Sequence, residues 1–259
     1  MDRPPAAALL AVALEAAEAA GALLVPRFGT ERAVAAKSSL TDAVSEADLA
    51  AERAIREVLA ARRPDDGILG EEGTGDVPGT SGLRWVVDPL DGTVNFLYGV
   101  PQWCVSVAVE AEGQTVAGVI LDPVRGELFG ATRDSGATLG GRALPGSDCD
   151  ELAHALVATG FGYESEVRRR QAAVVARVLP EVRDIRRAGS AALDLAWLAA
   201  GRYDAFYERG VKAWDVAAGL LLCERAGLQV RRLETRDGLP AGVLVAPPGL
   251  VDQLGELVG

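Results

Sequence analysis

Two aspartates three residues apart, Asp88 and Asp91, stand in the run Trp85-Val86-Val87-Asp88-Pro89-Leu90-Asp91-Gly92-Thr93-Val94-Asn95-Phe96. There an apolar strand pattern meets a Pro/Gly turn. A third aspartate, Asp215, follows Trp214 where an alanine-rich helical pattern opens. Carboxylates at a strand end and a helix start make an oxygen donor set suited to hard divalent cations. The chemistry implied is metal-assisted work on phosphate rather than nucleophile-and-histidine catalysis.

Other phosphate chemistries fail on residue supply. The sole histidine, His154, removes the basis for a phosphohistidine route, a Ser-His-Asp triad and most zinc sites. A cysteine phosphatase needs Arg six positions after its Cys. After Cys104, Cys149 and Cys223 those positions hold Glu110, Ala155 and Gln229. Aspartyl-nucleophile phosphatases place nucleophile and acid two residues apart. The spacing of three, with Pro89 between, better suits two ligands on one turn.

The 259 residues suffice to bury roughly 70–75% of the unfolded surface, in one large domain or two joined lobes. A net charge of −11 opposes non-specific binding to nucleic acid or anionic membrane, and it suits a site that holds cations. Three cysteines without a C-x-x-C pair read as free thiols of a reducing cytoplasm. Glu15 and Glu18 interrupt the apolar N-terminal stretch, so it is read as an amphipathic helix rather than a signal or span.

The elements that must position these residues follow from periodicity. Helices are expected over 6–25 and 42–62, the second capped by Thr41 or Asp42. A short strand is expected at 68–73, and a mobile Gly/Pro/Ser/Thr loop at 74–82. Strands over 83–87, 104–111, 115–121 and 127–132, joined by short turns, suit an antiparallel sheet. Beyond about residue 150, short apolar runs at 155–158, 205–207 and 242–246 alternate with helical patterns at 166–179, 190–200, 215–226 and 249–258. That alternation gives an α/β lobe. The chain is therefore divided into an N-terminal α+β lobe (1–150) and a C-terminal α/β lobe (151–259), packed as one unit.

The segments GEEG (70–73), DPLDGTVNF (88–96), WDVAAG (214–219), TDAVSEADLAAE (41–52) and GSAALDLAWLAAGRYDAFYERGVKAWD (189–215) resemble the inositol monophosphatase family in order and context. The resemblance implies a layered αβαβα sandwich, two or three Mg²⁺ ions, lithium sensitivity, phosphomonoester hydrolysis and a homodimer. It also assigns roles. Glu71, Asp88 and the Leu90 carbonyl would hold one ion. Asp88, Asp91 and Asp215 would hold a second. Thr93, partnered by Asp48, would orient the attacking water. The Gly92 and Thr93 amides would hold the phosphate, Glu208 a substrate hydroxyl, and the Ala191 backbone the same face.

Each residue has a plainer reading. Asp88 and Asp91 could cap the 89–93 bend, Asp215 could be an N-cap, and Glu71 and Glu72 could be a solvated pair. Asp48 could be a surface charge, and Glu208 could pair with Arg186 or Arg187. Trp85 and Trp214 are read as packing residues, and Arg168–Arg170 as a solvated helix face. The leading substrate expectation is inositol 1-phosphate. Fructose 1,6-bisphosphate, histidinol phosphate and 3′-phosphoadenosine 5′-phosphate remain alternatives on the same scaffold. Tyr163 falls where the family has a small polar substrate contact, a departure that bears on the sugar end of the pocket. An interaction protein on this fold is the alternative of another class.

Overall fold

The computed structural model describes residues 4–30, 33–36, 43–72 and 76–259. Its helices are α1 (Ala6–Leu24), α2 (Glu46–Arg62), α3 (Thr93–Leu97), α4 (Ser165–Val178), α5 (Ala191–Ala199), α6 (Ala213–Arg225) and α7 (Pro248–Val258). An eight-stranded sheet gathers the strands between Gly67 and Ala143, and a five-stranded sheet those between Leu156 and Ala246. The first is antiparallel except where Gly67–Gly70 runs parallel to Leu83–Asp91. The second mixes parallel and antiparallel pairs.

Side-chain alternation along each strand creates the layers. In Leu83–Asp91, Leu83, Trp85 and Val87 face α1 and α2. Val86 faces the other way, onto α5 and α6. The second sheet sends Phe206, Val243 and Val245 to that same middle layer. Its Val157, Tyr207 and Leu244 face α4 and α7. The order is α1/α2, sheet, α5/α6, sheet, α4/α7, the αβαβα sandwich. α1 is long and apolar enough to cross a bilayer, but Leu9, Ala13, Ala16, Ala17, Ala20 and Leu24 are buried in the core.

Several expected elements need correction. α2 begins at Glu46 rather than 42. Its N-cap is Ser45, whose hydroxyl accepts from the Ala47 and Asp48 amides. Thr41 and Asp42 lie outside the described residues, as do Gly73 of the expected strand segment and Thr74 and Gly75 of the expected loop. Asp76–Val77 of that segment pairs with Ile68–Leu69. The strand from Leu83 does not end at Val87 but runs to Asp91. Strands Asp184–Arg186 and Gln229–Leu233 and the five-residue α3 carried too weak a period to be read.

His154 ends an exposed 3₁₀ turn beside Glu151. The cysteines are free; Cys104 and Cys223 are buried and Cys149 partly so. Trp85 is a packing residue whose indole N–H donates to Asp66 (2.9 Å).

Candidate active site

The Asp88–Asp91 pair is made by a β-bulge. Asp88 opposes Ser106 and Asp91 opposes Cys104, so Pro89 and Leu90 together face only Val105. Ser106 and Cys104 are two apart and share a face. The extra residue therefore turns Asp88 and Asp91, three apart, onto that same face. Without it a regular strand would send them to opposite sides. Proline fits because a bulge needs no ladder hydrogen bond there. The expected turn is thus a bulge, and the chain turns only at Gly92. Gly92 has φ +98°, and a Cβ there would lie 2.8 Å from the Gln102 carbonyl oxygen.

The bulge face looks onto the starts of α5 and α6. Ser190 Oγ donates to Asp91 Oδ2 at 2.7 Å, and the Ala192 amide reaches the same oxygen at 2.7 Å. Ser190 is at once the N-cap of α5, accepting from the Leu193 amide. Asp215 is not the N-cap of α6. Lys212 holds that place, and Asp215 Oδ2 accepts from the Lys212 amide at 2.6 Å. Ser106 donates to the Trp214 carbonyl (3.3 Å), tying the head of α6 to the sheet.

Asp48 is not a surface charge; it is fully buried at the first turn of α2. Its Oδ2 accepts from the Ser45 amide (2.8 Å) and hydroxyl (2.5 Å), and its Oδ1 from the Thr93 hydroxyl (2.8 Å). Thr93 also reaches the Leu90 carbonyl at 3.1 Å. Glu71 follows the Gly67–Gly70 strand and bonds the Asp88 carboxyl. Glu52 on α2 holds the next peptide, accepting from the Glu72 amide at 2.7 Å while pairing with Arg56 at 2.8 Å.

The carboxylates strain one another. Burial raises Asp88 well above the usual carboxylate range, and the charges of Glu71, Asp91 and Asp215 add to it. Burial lifts Asp91 to about 6 against the pull of its Ser190 and Ala192 bonds. Burial and then Asp91 raise Asp215. Asp91, Asp215 and Glu71 are nonetheless half-buried by exposure, so they line a recess open to solvent while Asp88 forms its floor. Oxygen-only donors that repel one another at neutral pH fit a hard divalent cation, which would neutralise them. Among the described residues no three acidic, histidine or cysteine side chains are drawn into a ready cage.

The opposite wall of the recess comes from the second sheet. Glu208, on Ala205–Arg209, packs its carboxylate over Gly160, where a Cβ would fall 2.1 Å from Oε2. Burial and then Asp91 raise Glu208 to about 8, with Arg187 opposing. Arg187 lies over the Phe161 ring at 5.8 Å and acts on Glu208 as a nearby opposing charge. Arg186 pairs with Asp184. Asp194, 1% exposed, is raised well above normal by burial and then by Glu208. Tyr163 is 41% exposed, at the rim of its loop.

Sequence reasoning passed over Ser45, Glu52, Asn95, Ser190 and Asp194. Ser45-x-x-Asp48 and Ser190 before an apolar run are helix-start signals that could have been read. Asn95 donates to Gln102 O (2.7 Å) and Ala188 O (2.9 Å), a link that only the fold creates. A cavity of ≈ 660 Å³ lies elsewhere, between the outer side of α6, the hairpin around Gly113 and the strand at Arg232. It contains none of the carboxylates described above.

The sequence profile of the inositol monophosphatase family matches residues 6–256. "Inositol-1-monophosphatase" of Mycobacterium bovis is 48% identical over 88% of this chain and 83% of its own. "Nus factor SuhB" of Escherichia coli K12 is 42% identical over 85% of this chain and 83% of its own. The crystal structure of extragenic suppressor protein suhB from Bartonella henselae superposes with a TM-score of 0.89 at 37% identity, covering 97% and 98% of the two chains. This chain is a phosphoric monoester hydrolase and belongs to the inositol monophosphatase family.

Proposed function

We propose that the enzyme hydrolyses a small polyol phosphomonoester, inositol 1-phosphate first among the candidates, with Mg²⁺ as cofactor. The observation that carries this reading is the bulge that aims Asp88 and Asp91 at the heads of α5 and α6, with the Thr93–Asp48 bond beside it. Glu71, Asp88, Asp91, Asp215 and the Leu90 carbonyl are the proposed ligands. Mg²⁺ bound there would stabilise charge on phosphate oxygens and ease deprotonation of water.

The chain's own groups supply the rest. Thr93 has one hydroxyl proton, and the Asp48 carboxylate and Leu90 carbonyl are both acceptors. The proton is therefore spent on them, and the Thr93 lone pairs face outward to accept from a water. Thr93 orients that water; it is too weak an acid–base to do more. The Gly92 and Thr93 amides, at the start of α3, are the proposed phosphate contacts. Glu208, across the recess, is the proposed acceptor for a polyol hydroxyl, with Ala191 on the same face. Phosphate release from inositol 1-phosphate, with and without Mg²⁺, tests the reading. No release from any small phosphomonoester would remove it.

The relative named Nus factor gives a second reading a specific footing: an interaction role beside catalysis. An inactive but folded variant that still supports growth in place of the native chain would favour it. A second copy of this chain is the proposed stable partner, since Val94, Tyr98 and Val100 form an exposed apolar run, Tyr98 at 82%. A cytoplasmic site of action is proposed from the three free thiols, and lithium inhibition from the family.

A further inference from the structure

Thr159 sits opposite Tyr207 where Leu156–Thr159 runs parallel to Ala205–Arg209. Alternation sends Glu208 toward the recess and Tyr207 and Arg209 to the reverse face, toward α4. There, behind Gly160 and Phe161, is a void of ≈ 10 Å³ bordered by Thr159, Gln171, Tyr207 and Arg209. That volume holds about one small guest. Gly160 is the wall between this void and the Glu208 carboxylate.

The void is rich in donors and short of negative charge. Arg209 is 5% exposed. Its Nη1 donates to the Glu234 (2.8 Å) and Pro240 (3.0 Å) carbonyls and its Nη2 to the Val258 carbonyl (3.0 Å). Its Nε–H has no partner among the described residues. The Thr159 and Tyr207 hydroxyls lie near one another, but neither makes a hydrogen bond of ordinary geometry. Gln171 is engaged at both ends: its Oε1 accepts from the Gly162 amide (2.9 Å) and its Nε2 donates to the Arg209 carbonyl (3.3 Å). The charge felt by the Arg209 guanidinium is that of another cation, Arg236.

We propose that this void binds a small monovalent anion of chloride's size, held by Arg209 Nε–H and the Thr159 and Tyr207 hydroxyls. A buried charge left without a counter-charge is costly, and carbonyl dipoles compensate only in part. A single water could take up the hydrogen bonds but would leave the guanidinium uncompensated. An anion satisfies both and stiffens the 159–162 segment behind Glu208. The inference rests on this cluster alone and not on the substrate reading above.

The test has two arms. Crystals of the full chain grown in sodium bromide should show an anomalous peak within hydrogen-bond reach of Arg209 Nε. Melting temperature measured in chloride against gluconate, at fixed ionic strength, should rise by about 3–5 °C at tenfold above half-saturation. Tyr207→Phe and Thr159→Val each remove one donor while keeping the charge, and should shift half-saturation to higher chloride. Arg209→Met should abolish the dependence. Should Arg209→Met fail to fold, the bromide peak and the two hydroxyl variants decide. Density without anomalous signal, meaning an ordered water only, together with equal melting curves in both salts, would overturn the proposal.

Discussion

The two walls of the recess are built differently. On the Asp88–Asp91 wall Asp48, Asp91 and Asp215 each have a carboxylate oxygen aimed by a named donor: Ser45 for Asp48, Ser190 and Ala192 for Asp91, Lys212 for Asp215. On the Glu208 wall the acids are enclosed but not tied. Asp194 Oδ1 has no partner among the described residues, and the charges acting on Glu208 are that of Asp91 and, opposing it, that of Arg187. A group held by short bonds is pre-set for one geometry. A group held only by packing can turn toward whichever hydroxyl a substrate offers. The first wall is suited to fixed chemistry, the second to choosing substrates.

That contrast can be broken by substitution. Asp91→Asn keeps the shape but removes charge from the proposed shared ligand site, and kcat should fall at least ~10²-fold. Near-normal turnover in a folded variant would sink the assignment. Glu208→Ala should cut kcat/KM for inositol 1-phosphate by ~10-fold, the scale of one lost hydrogen bond. An aryl phosphate without neighbouring hydroxyls should be hydrolysed as before. Equal losses on both substrates would erase the division between the walls. Ser190→Ala takes one donor from Asp91 and should weaken Mg²⁺ binding by ~10-fold, read by calorimetry.

Two bulk measurements sharpen the same picture. Mg²⁺ at about 100-fold over its Kd should add roughly 2.7 kcal/mol to folding, a rise of about 5–10 °C in Tm. Without Mg²⁺, the raised acids bind protons more tightly in the folded state than in the unfolded one, where they titrate near 4. The folded chain therefore holds more protons between about pH 4 and the values of about 6 for Asp91 and about 8 for Glu208. Stability of the metal-free protein should fall as pH rises through that window, and Mg²⁺ should cancel much of the loss. A flat or rising melting temperature from pH 5 to 8 without metal would contradict the strain between the carboxylates.

Sequence legibility follows the same division. The Asp88–Asp91 wall could be located because a contiguous apolar-to-acidic run encodes it. The strands at 83–87 and 104–111 beside it could be read from their apolar runs, whereas α3 could not. Its mechanism of construction was hidden, since nothing in Asp-Pro-Leu-Asp distinguishes a turn from a bulge until Cys104 and Ser106 are known to lie opposite. Asp48 read equally well as a surface charge because burial at α2 depends on Thr93, 45 positions on. The Glu208 wall is assembled from three distant segments, at Gly160, at Arg187 to Asp194 and at Glu208, none with a local signal for the others. Asp194 in particular sits inside an apolar helix pattern, where only the fold places it against Glu208.

The most direct measurement compares phosphate release from inositol 1-phosphate by the native enzyme and by Asp91→Asn, across a Mg²⁺ titration, at matched melting temperature. The account predicts hydrolysis that rises with Mg²⁺ in the native enzyme and is at least ~10²-fold lower in the variant at every concentration. Hydrolysis independent of Mg²⁺, or a variant that matches the native enzyme, would contradict it.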